Sequence, residues 1–458
     1  MSEAPRAPAR RPAIFVTGSI LRHVLVMTGS GALGLVAVFL VDFLTLLYVA
    51  RLGDPQATAA VAFATQAMFI PLSLSIGMTI AVTAVVGRAL GAGNVEAARR
   101  MAGASLTIVL AASGLASLGL WIFRAAFLAM VGAKGEAAAL ADGFLAIALP
   151  SGVLLSLGMA LSGVLRAAGD ARRAMNVTLS AAIVTAILDP ILIFGLKMGL
   201  TGAAVTIVAA RLVMVFVGWR GAQGAPRLGR RPTREEIVAD LRPFSAIAAP
   251  AIMTNLASPA ASAFALAIVS RFGDGAVGAL VMSDRVFALA YAAIFALSGS
   301  VGAILAQNLG AGRIDRLRET MRVCLTLATF YCIVMWAALH VAAPSVATLF
   351  DAPADSRALF DVFVFWGSAA WIMLGWLFVA NASFNNLGFP LLSTAFNWGR
   401  AVLGVIPFVY VGAMWDGARG AGIGMAAGSA LFGAAALAAT RIVLKRIERR
   451  ATAAPRLE

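Results

Sequence analysis

The hydrophobic pattern is neither the alternation of a strand nor the one-sided stripe of a surface helix. Long runs of apolar residues recur from one end to the other, separated by short polar stretches. Each run reaches the 20 or so residues that cross about 30 Å of hydrocarbon at 1.5 Å per residue. Twelve such runs can be placed, near residues 23–50, 57–86, 101–123, 140–166, 174–195, 200–219, 244–271, 276–306, 321–343, 358–384, 391–414 and 419–444. The pattern predicts an all-α integral membrane protein of 12 transmembrane helices in two pseudo-symmetric six-helix bundles. The predicted organisation is a tail (1–22), a first lobe (23–219), a linker (220–243), a second lobe (244–444) and a basic tail (445–458).

Charge sharpens this reading. Of 458 residues, 61% are hydrophobic and 12% charged, a balance foreign to soluble globular chains. The net charge of +15 suggests nucleic acid only if the cations share a solvated face. Instead they collect in alternate loops, at Arg88, Arg99, Arg100, Arg166, Arg172, Arg173, the 220–242 stretch, Arg313, Arg316, Arg318, Arg322 and residues 445–450. The opposite loops hold scattered cations such as Arg51, Arg124, Lys134 and Arg357. This asymmetry predicts two cytoplasmic termini in a cell (inner) membrane and no nucleic-acid partner. Arg10-Arg11 resembles a twin-arginine export signal, but the apolar run behind it is too long for one, so a retained tail is expected. Thr233, followed by Glu235 and Glu236, predicts a short capped helix on the membrane surface inside the linker.

Against this background two acids stand out. Asp42 sits in LVDFL and Asp189 in AILDPIL. A carboxylate within a span costs about 3 kcal/mol on insertion scales, so it more often marks an ion or substrate path than packing. Pro190 lacks an N–H and is a candidate hinge. Cys324 and Cys332 lie eight residues apart on one predicted helix, about 12 Å, too far for a disulfide. His23 and His340 have no metal-ligand neighbours, so no metal site is expected apart from a coupling cation. There is no GxxxxGK[ST] and no nucleophile–base constellation, so neither an ATP site nor an enzyme is expected.

The chain also repeats. Leu90-Gly-Ala-Gly93 recurs as Leu309-Gly-Ala-Gly312 at an offset of 219, and Gly169 falls on Gly388 at the same offset. With a gap, Pro190 answers Pro407 and Gly202-Ala203 answers Gly420-Ala421. Six spans repeated in one orientation predict a substrate site between two halves that rock. The LGAG turns predict helix C-caps, where glycine supplies positive φ. Gly420, Gly424 and Gly428 form a GxxxGxxxG face for close helix contact.

These residues resemble the multidrug and toxic compound extrusion (MATE) transporters over Leu21 to Arg446. The likeness is carried by VDFLTLLYVARLGDPQATAAVAFA, both LGAG turns, LRAAGD, LDPILIFG, SDRVFALAYAAIFALSGSVGAILAQNLGAGR and NNLGFP. The resemblance implies a V-shaped pair of bundles and export of amphipathic or cationic organic compounds in exchange for H⁺ or Na⁺, without another cofactor. Asp42 and Asp189 match the acids that face each other inside the N-terminal lobe. Thr185 stands where the family often has Asn, and Thr206 is offset by one position from the usual hydroxyl. Acids present in the second half of the Na⁺-coupled NorM-like branch are missing from Pro250–Val269 and Val362–Phe384. The chain therefore resembles the DinF-like branch, with protons as the expected coupling ion and Na⁺ at Asp42 and Asp189 as the alternative.

Two close carboxylates in low dielectric cannot both ionise readily, so the pair is expected to take a proton outside and lose it inside. Met68, Phe69, Asn255 and Arg285 are candidate substrate-cavity residues, with ordinary packing or an interfacial salt bridge as the competing readings. Arg211 and Arg400 read as snorkelling or pairing near span ends. Expected partners are small organic molecules and membrane lipids, with the chain a monomer. A lipid flippase on the same fold is the alternative within transport; a passive channel or membrane enzyme is the alternative outside it.

Overall fold

A computed structural model of the chain describes residues 13–224, 231–350 and 353–453. Arg10-Arg11, the middle of the linker and the last five residues of the basic tail lie outside the described residues. All described elements are helical. The first half holds α1 (Ile20–Ala50), α2 (Pro55–Gly91), α3 (Val95–Ile122), α4 (Arg124–Met130), α5 (Gly135–Ala148), α6 (Gly152–Ala167), α7 (Ala171–Pro190) and α8 (Gly199–Gln223). The second holds α9 (Arg234–Val269), α10 (Asp274–Ala290), α11 (Ala292–Gly310), α12 (Ile314–Leu349), α13 (Ala354–Leu387), α14 (Pro390–Gly399) and α15 (Ile406–Ala453).

Ten helices or continuous helical runs are long and apolar enough to span a bilayer, and α5 with α6, bent by 49°, makes an eleventh span. The run from Pro390 to Arg449 is continuous only nominally, because Asp416 and Gly417 leave helical geometry and divide it in two. The result is the twelve spans the hydrophobic pattern predicts. Their packing follows the small residues. A Cβ on Gly420, Gly424 or Gly428 would lie within 2.0 Å of a carbonyl oxygen on the preceding span, so the GxxxGxxxG face brings two backbones into direct contact.

Local signals end the helices as expected. Gly93 and Gly312 take φ of +73° and +68° behind α2 and α11. Thr233 and Glu236 form a reciprocal capping box. The helix behind that box is not the short surface helix expected, however. It runs unbroken as α9 through Pro243, Pro250 and Pro259 into the seventh span. Arg100 on α3 holds it through Asp240, at 3.2 Å.

The two halves meet along α1, α2, α9 and α11. At the end that carries both termini they are sealed. Gly91 packs on the carbonyl of Gln307 and Gly310 on that of Arg88, each so closely that a Cβ would fall about 2 Å from the oxygen. Each LGAG turn thus uses its two glycines differently. The last caps the helix, and the first lets the halves touch. The Arg88 guanidinium donates to the Asn386 carbonyl across the seam, at 2.7 and 3.1 Å.

The segment Ala13–Ser19 lies beneath this seam. Phe15 is fully buried, its N–H donating to Gln307 Oε1 at 3.0 Å. Gln307 Nε2 donates in turn to Ala167 O of the first half, at 2.7 Å. Buried Arg316 donates to the carbonyls of Phe15, Thr17 and Gly18 and to Asn308 Oδ1. A guanidinium so surrounded by carbonyls is desolvated without losing its hydrogen bonds, the condition under which a buried cation is tolerated.

Candidate functional site

Asp189 closes α7, whose fully helical run reaches Pro190 and then widens into a π turn over Ile191–Gly195. Because proline offers no N–H, the ladder is already interrupted there, and π turns in helices gather at functional positions. Asp189 is buried at 1% exposure. The Thr45 hydroxyl on α1 donates to its Oδ2 through a short hydrogen bond. Its Oδ1 is buried with no partner. An ionised carboxylate left half-solvated in a bilayer-spanning bundle is unfavourable, so this oxygen is where a proton or cation would be accepted.

Thr45 also connects the two acids. It stands three residues beyond Asp42 on one face of α1, so the residue touching Asp189 is one turn from the other carboxylate. The Asp42 side chain is accessible, although protein surrounds it closely, and it lies within electrostatic range of Arg285, Asp189 and Arg211. Arg285, exposed on α10, comes from the opposite half. The acids thus share a neighbourhood but not an environment: Asp189 is buried, and Asp42 is accessible, with charges of both halves in range.

The remaining candidates divide. Thr206 on α8 is fully buried beside the Asp189 carboxylate, although its hydroxyl donates to Gly202 O at 3.1 Å. Thr185 turns to its own helix, donating to Ala181 O at 3.0 Å, and Asn255 does the same toward Ala251 O at 2.8 Å. Met68 packs against the cluster containing Val49, Leu145 and Ile193. Phe69 is half-buried on α2.

Two arginines differ from expectation. Arg211 stands at the middle of α8, not at a span end. It donates to Ala148 O at 3.2 Å and Ser151 Oγ at 2.7 Å, occupying the break between α5 and α6. That break exposes helix-end carbonyls inside the bundle, and a guanidinium satisfies them. Arg400 opens a second π turn (Arg400–Val405), donates to Ser258 Oγ at 2.9 Å and leaves its Nε without a partner. Thr45 was missed in the sequence, although its place one turn from Asp42 was a usable signal.

With this geometry in view, comparison with known proteins is decisive. The MatE family profile matches residues 32–191 and 250–411, one match in each half. The chain belongs to the MATE family. An FAD transporter of Shewanella oneidensis is 27% identical over 413 residues, covering 88% of this chain and 91% of that one. A probable multidrug resistance protein NorM of Deinococcus radiodurans is 25% identical over 441 residues, covering 92% and 95%. Among solved structures, the bent form of the Vibrio cholerae MATE transporter VcmN superimposes with a TM-score of 0.88 at 23% identity, over 94% of this chain and 98% of that one. An outward-facing multidrug resistance MATE transporter of the MOP superfamily gives 0.89 at 19%, over 96% and 99%. As a MATE protein, the chain is a multi-pass membrane transporter with the twelve-helix MOP fold and not an enzyme.

Proposed function

We propose that this MATE protein exports amphipathic organic compounds by antiport with H⁺. In this reading it works as a monomer in a bacterial-type inner membrane, with both termini in the cytoplasm. The observation that carries the reading is the orphaned Oδ1 of Asp189, whose other oxygen is held by Thr45, a residue one helical turn from Asp42. A proton entering from the open side meets Asp42 first. At Asp189 it satisfies an oxygen that nothing else satisfies, and so lowers the charge between the lobes. A cationic cargo held by that charge is then released. Because each ligand favours the state the other disfavours, the two exchange rather than travel together.

A proton suits the donor set better than Na⁺. The protein oxygens gathered here are the Asp189 carboxylate and the hydroxyls of Thr45 and Thr206. Hard cations such as Ca²⁺ and Mg²⁺ take about six oxygen ligands, whereas a proton needs one. The seal beneath the lobes, with Asp42 exposed beyond it, corresponds to a state open away from the cytoplasm. Pro190 and its π turn supply the hinge.

The test is efflux of a cationic dye from proteoliposomes under an imposed pH gradient, repeated with a Na⁺ gradient. The expected result is export driven by ΔpH and lost in Asp42→Asn; export driven by Na⁺ alone overturns the coupling ion.

A second reading concerns the cargo. Arg285 faces Asp42 from the other half, and a cation there suits a cargo bearing an anionic group. The Shewanella relative is named as a transporter of FAD, which is such a molecule. Competition between FAD and the cationic dye in the same vesicles separates the two readings. Selective export of a lipid probe would favour a flippase instead.

A further inference from the structure

On the outer flank of the first half, away from the lobe seam, α7 begins and α8 ends at the same membrane face. Between them is a cavity of about 220 Å³ lined by Arg173, Asn176, Val217, Arg220 and Gly221. That is about seven times the volume of a water molecule in the liquid. Two guanidiniums from two helices converge on it, with an exposed carboxamide between them.

Each wall has a local cause. Gly221 and Gly218 let α8 lie close against Leu165 and Leu161 of α6. Gly221 also leaves the pocket wall without a side chain. Arg173 is set by its own helix end, pairing with Asp170 at 3.3 Å on the side facing that cap. Gly224 passes so close behind its guanidinium that a Cβ would fall 2.3 Å from Nη1. Arg220 has no carboxylate partner among the described residues; its guanidinium lies 5.5 Å over the Phe216 ring. Phe216 and Trp219 are 59% and 46% exposed beside it. Aromatic rings exposed next to arginine at a span end mark the level of lipid headgroups.

We propose that this pocket binds a phosphate anion presented as the headgroup of an anionic membrane phospholipid. Arg173 and Arg220 chelate the phosphate oxygens from two sides, and Asn176 donates to a headgroup oxygen. Val217 and Phe216 meet the start of the acyl chains. Guanidiniums match phosphate geometry in a way that single ammonium charges do not, and basic pockets between spans are established headgroup sites in other membrane proteins. The site is independent of Asp42 and Asp189, so its failure leaves the transport reading untouched.

The test uses the purified full chain in detergent, offered phosphatidylglycerol, phosphatidylcholine with the same acyl chains, or inorganic phosphate. Lipid retention is read by native mass spectrometry and stability by thermal unfolding. The wild-type chain should retain phosphatidylglycerol in preference to phosphatidylcholine and be stabilised by it. The double variant Arg173→Ala/Arg220→Ala should lose retention by about thirty-fold, the product expected of two surface cations. Arg173→Lys/Arg220→Lys keeps the charge without the planar fork and should fall between them, which separates a lost site from a lost fold. Equal retention by wild type and the alanine variant overturns the pocket. Stabilisation by inorganic phosphate without discrimination between the lipids overturns the headgroup assignment.

Discussion

The fifth span and the eleventh occupy matching places in the two halves, and both depart from regular α-helix, though with proline and π turn in opposite order. Each carries a proline and a π turn, at Pro190 with Ile191–Gly195 and at Pro407 with Arg400–Val405. Their side chains diverge. The residue before the first proline is Asp189, buried with one oxygen unbonded; before the second it is Ile406. Next to the proline-bearing span of the second half, a buried pair of amides takes the place of the acid. Asn397 donates to Asn381 Oδ1 at 3.0 Å and Ser393 to Asn381 O at 3.1 Å. The two spans therefore share a proline and a π turn, in opposite order, but not the acid before the proline. A paired amide specifies packing, whereas an orphaned carboxylate calls for a ligand.

The contrast is broken most directly at Asp189. Asp189→Asn should reduce pH-driven dye efflux to background while the protein remains in the membrane. Asn397→Ala should leave coupling intact and lower stability by about 1–3 kcal/mol, as removing one partner of a buried hydrogen bond does. Efflux assays and thermal unfolding on both variants decide this. If Asn397→Ala also uncouples transport, the halves are less different than their side chains suggest.

Next comes the seam at the terminal-bearing end, where the halves are alike. Gly310→Val places a side chain against the Arg88 carbonyl and should push the sealed end apart. A cysteine introduced at Ala306 should then react faster with a membrane-impermeant thiol reagent. Gly312→Ala strains only a left-handed turn, at about 1–2 kcal/mol, and should leave that reactivity unchanged.

The smallest effects concern the hydroxyls. Thr45→Val removes the one donor to Asp189 Oδ2 and should move the pH at which ΔpH-driven efflux is half-maximal. Thr206→Val leaves that short bond in place and should move the midpoint less. A larger shift from Thr206→Val would make α8, not α1, the principal partner of the carboxylate.

Much of this was legible in the chain because membranes impose simple rules. Long apolar runs count the spans, LGAG at a fixed offset reveals the duplication, and a lone acid in oil marks a site. What escaped depends on tertiary placement. Arg211 reads as a span-end residue because nothing in its neighbourhood reveals that α5 and α6 break opposite it. The cap at Thr233 is plain, but prolines at 243, 250 and 259 suggest interruptions that the surrounding helices absorb. Met68 shows the limit of composition: a flexible apolar side chain suits a cargo wall and a core equally, and here it joins a core.

The stitching of Ala13–Ser19 has a practical corollary. This short segment ahead of the first span bonds Gln307 and Arg316 of the second half, and Gln307 in turn bonds Ala167 of the first, so segment and seam form one hydrogen-bonded network. Any separation of the halves on that side has to break or carry along these bonds. A bulky fusion or affinity tag placed ahead of it would load a segment tied into the seam, and the opposite terminus is the safer place to attach one.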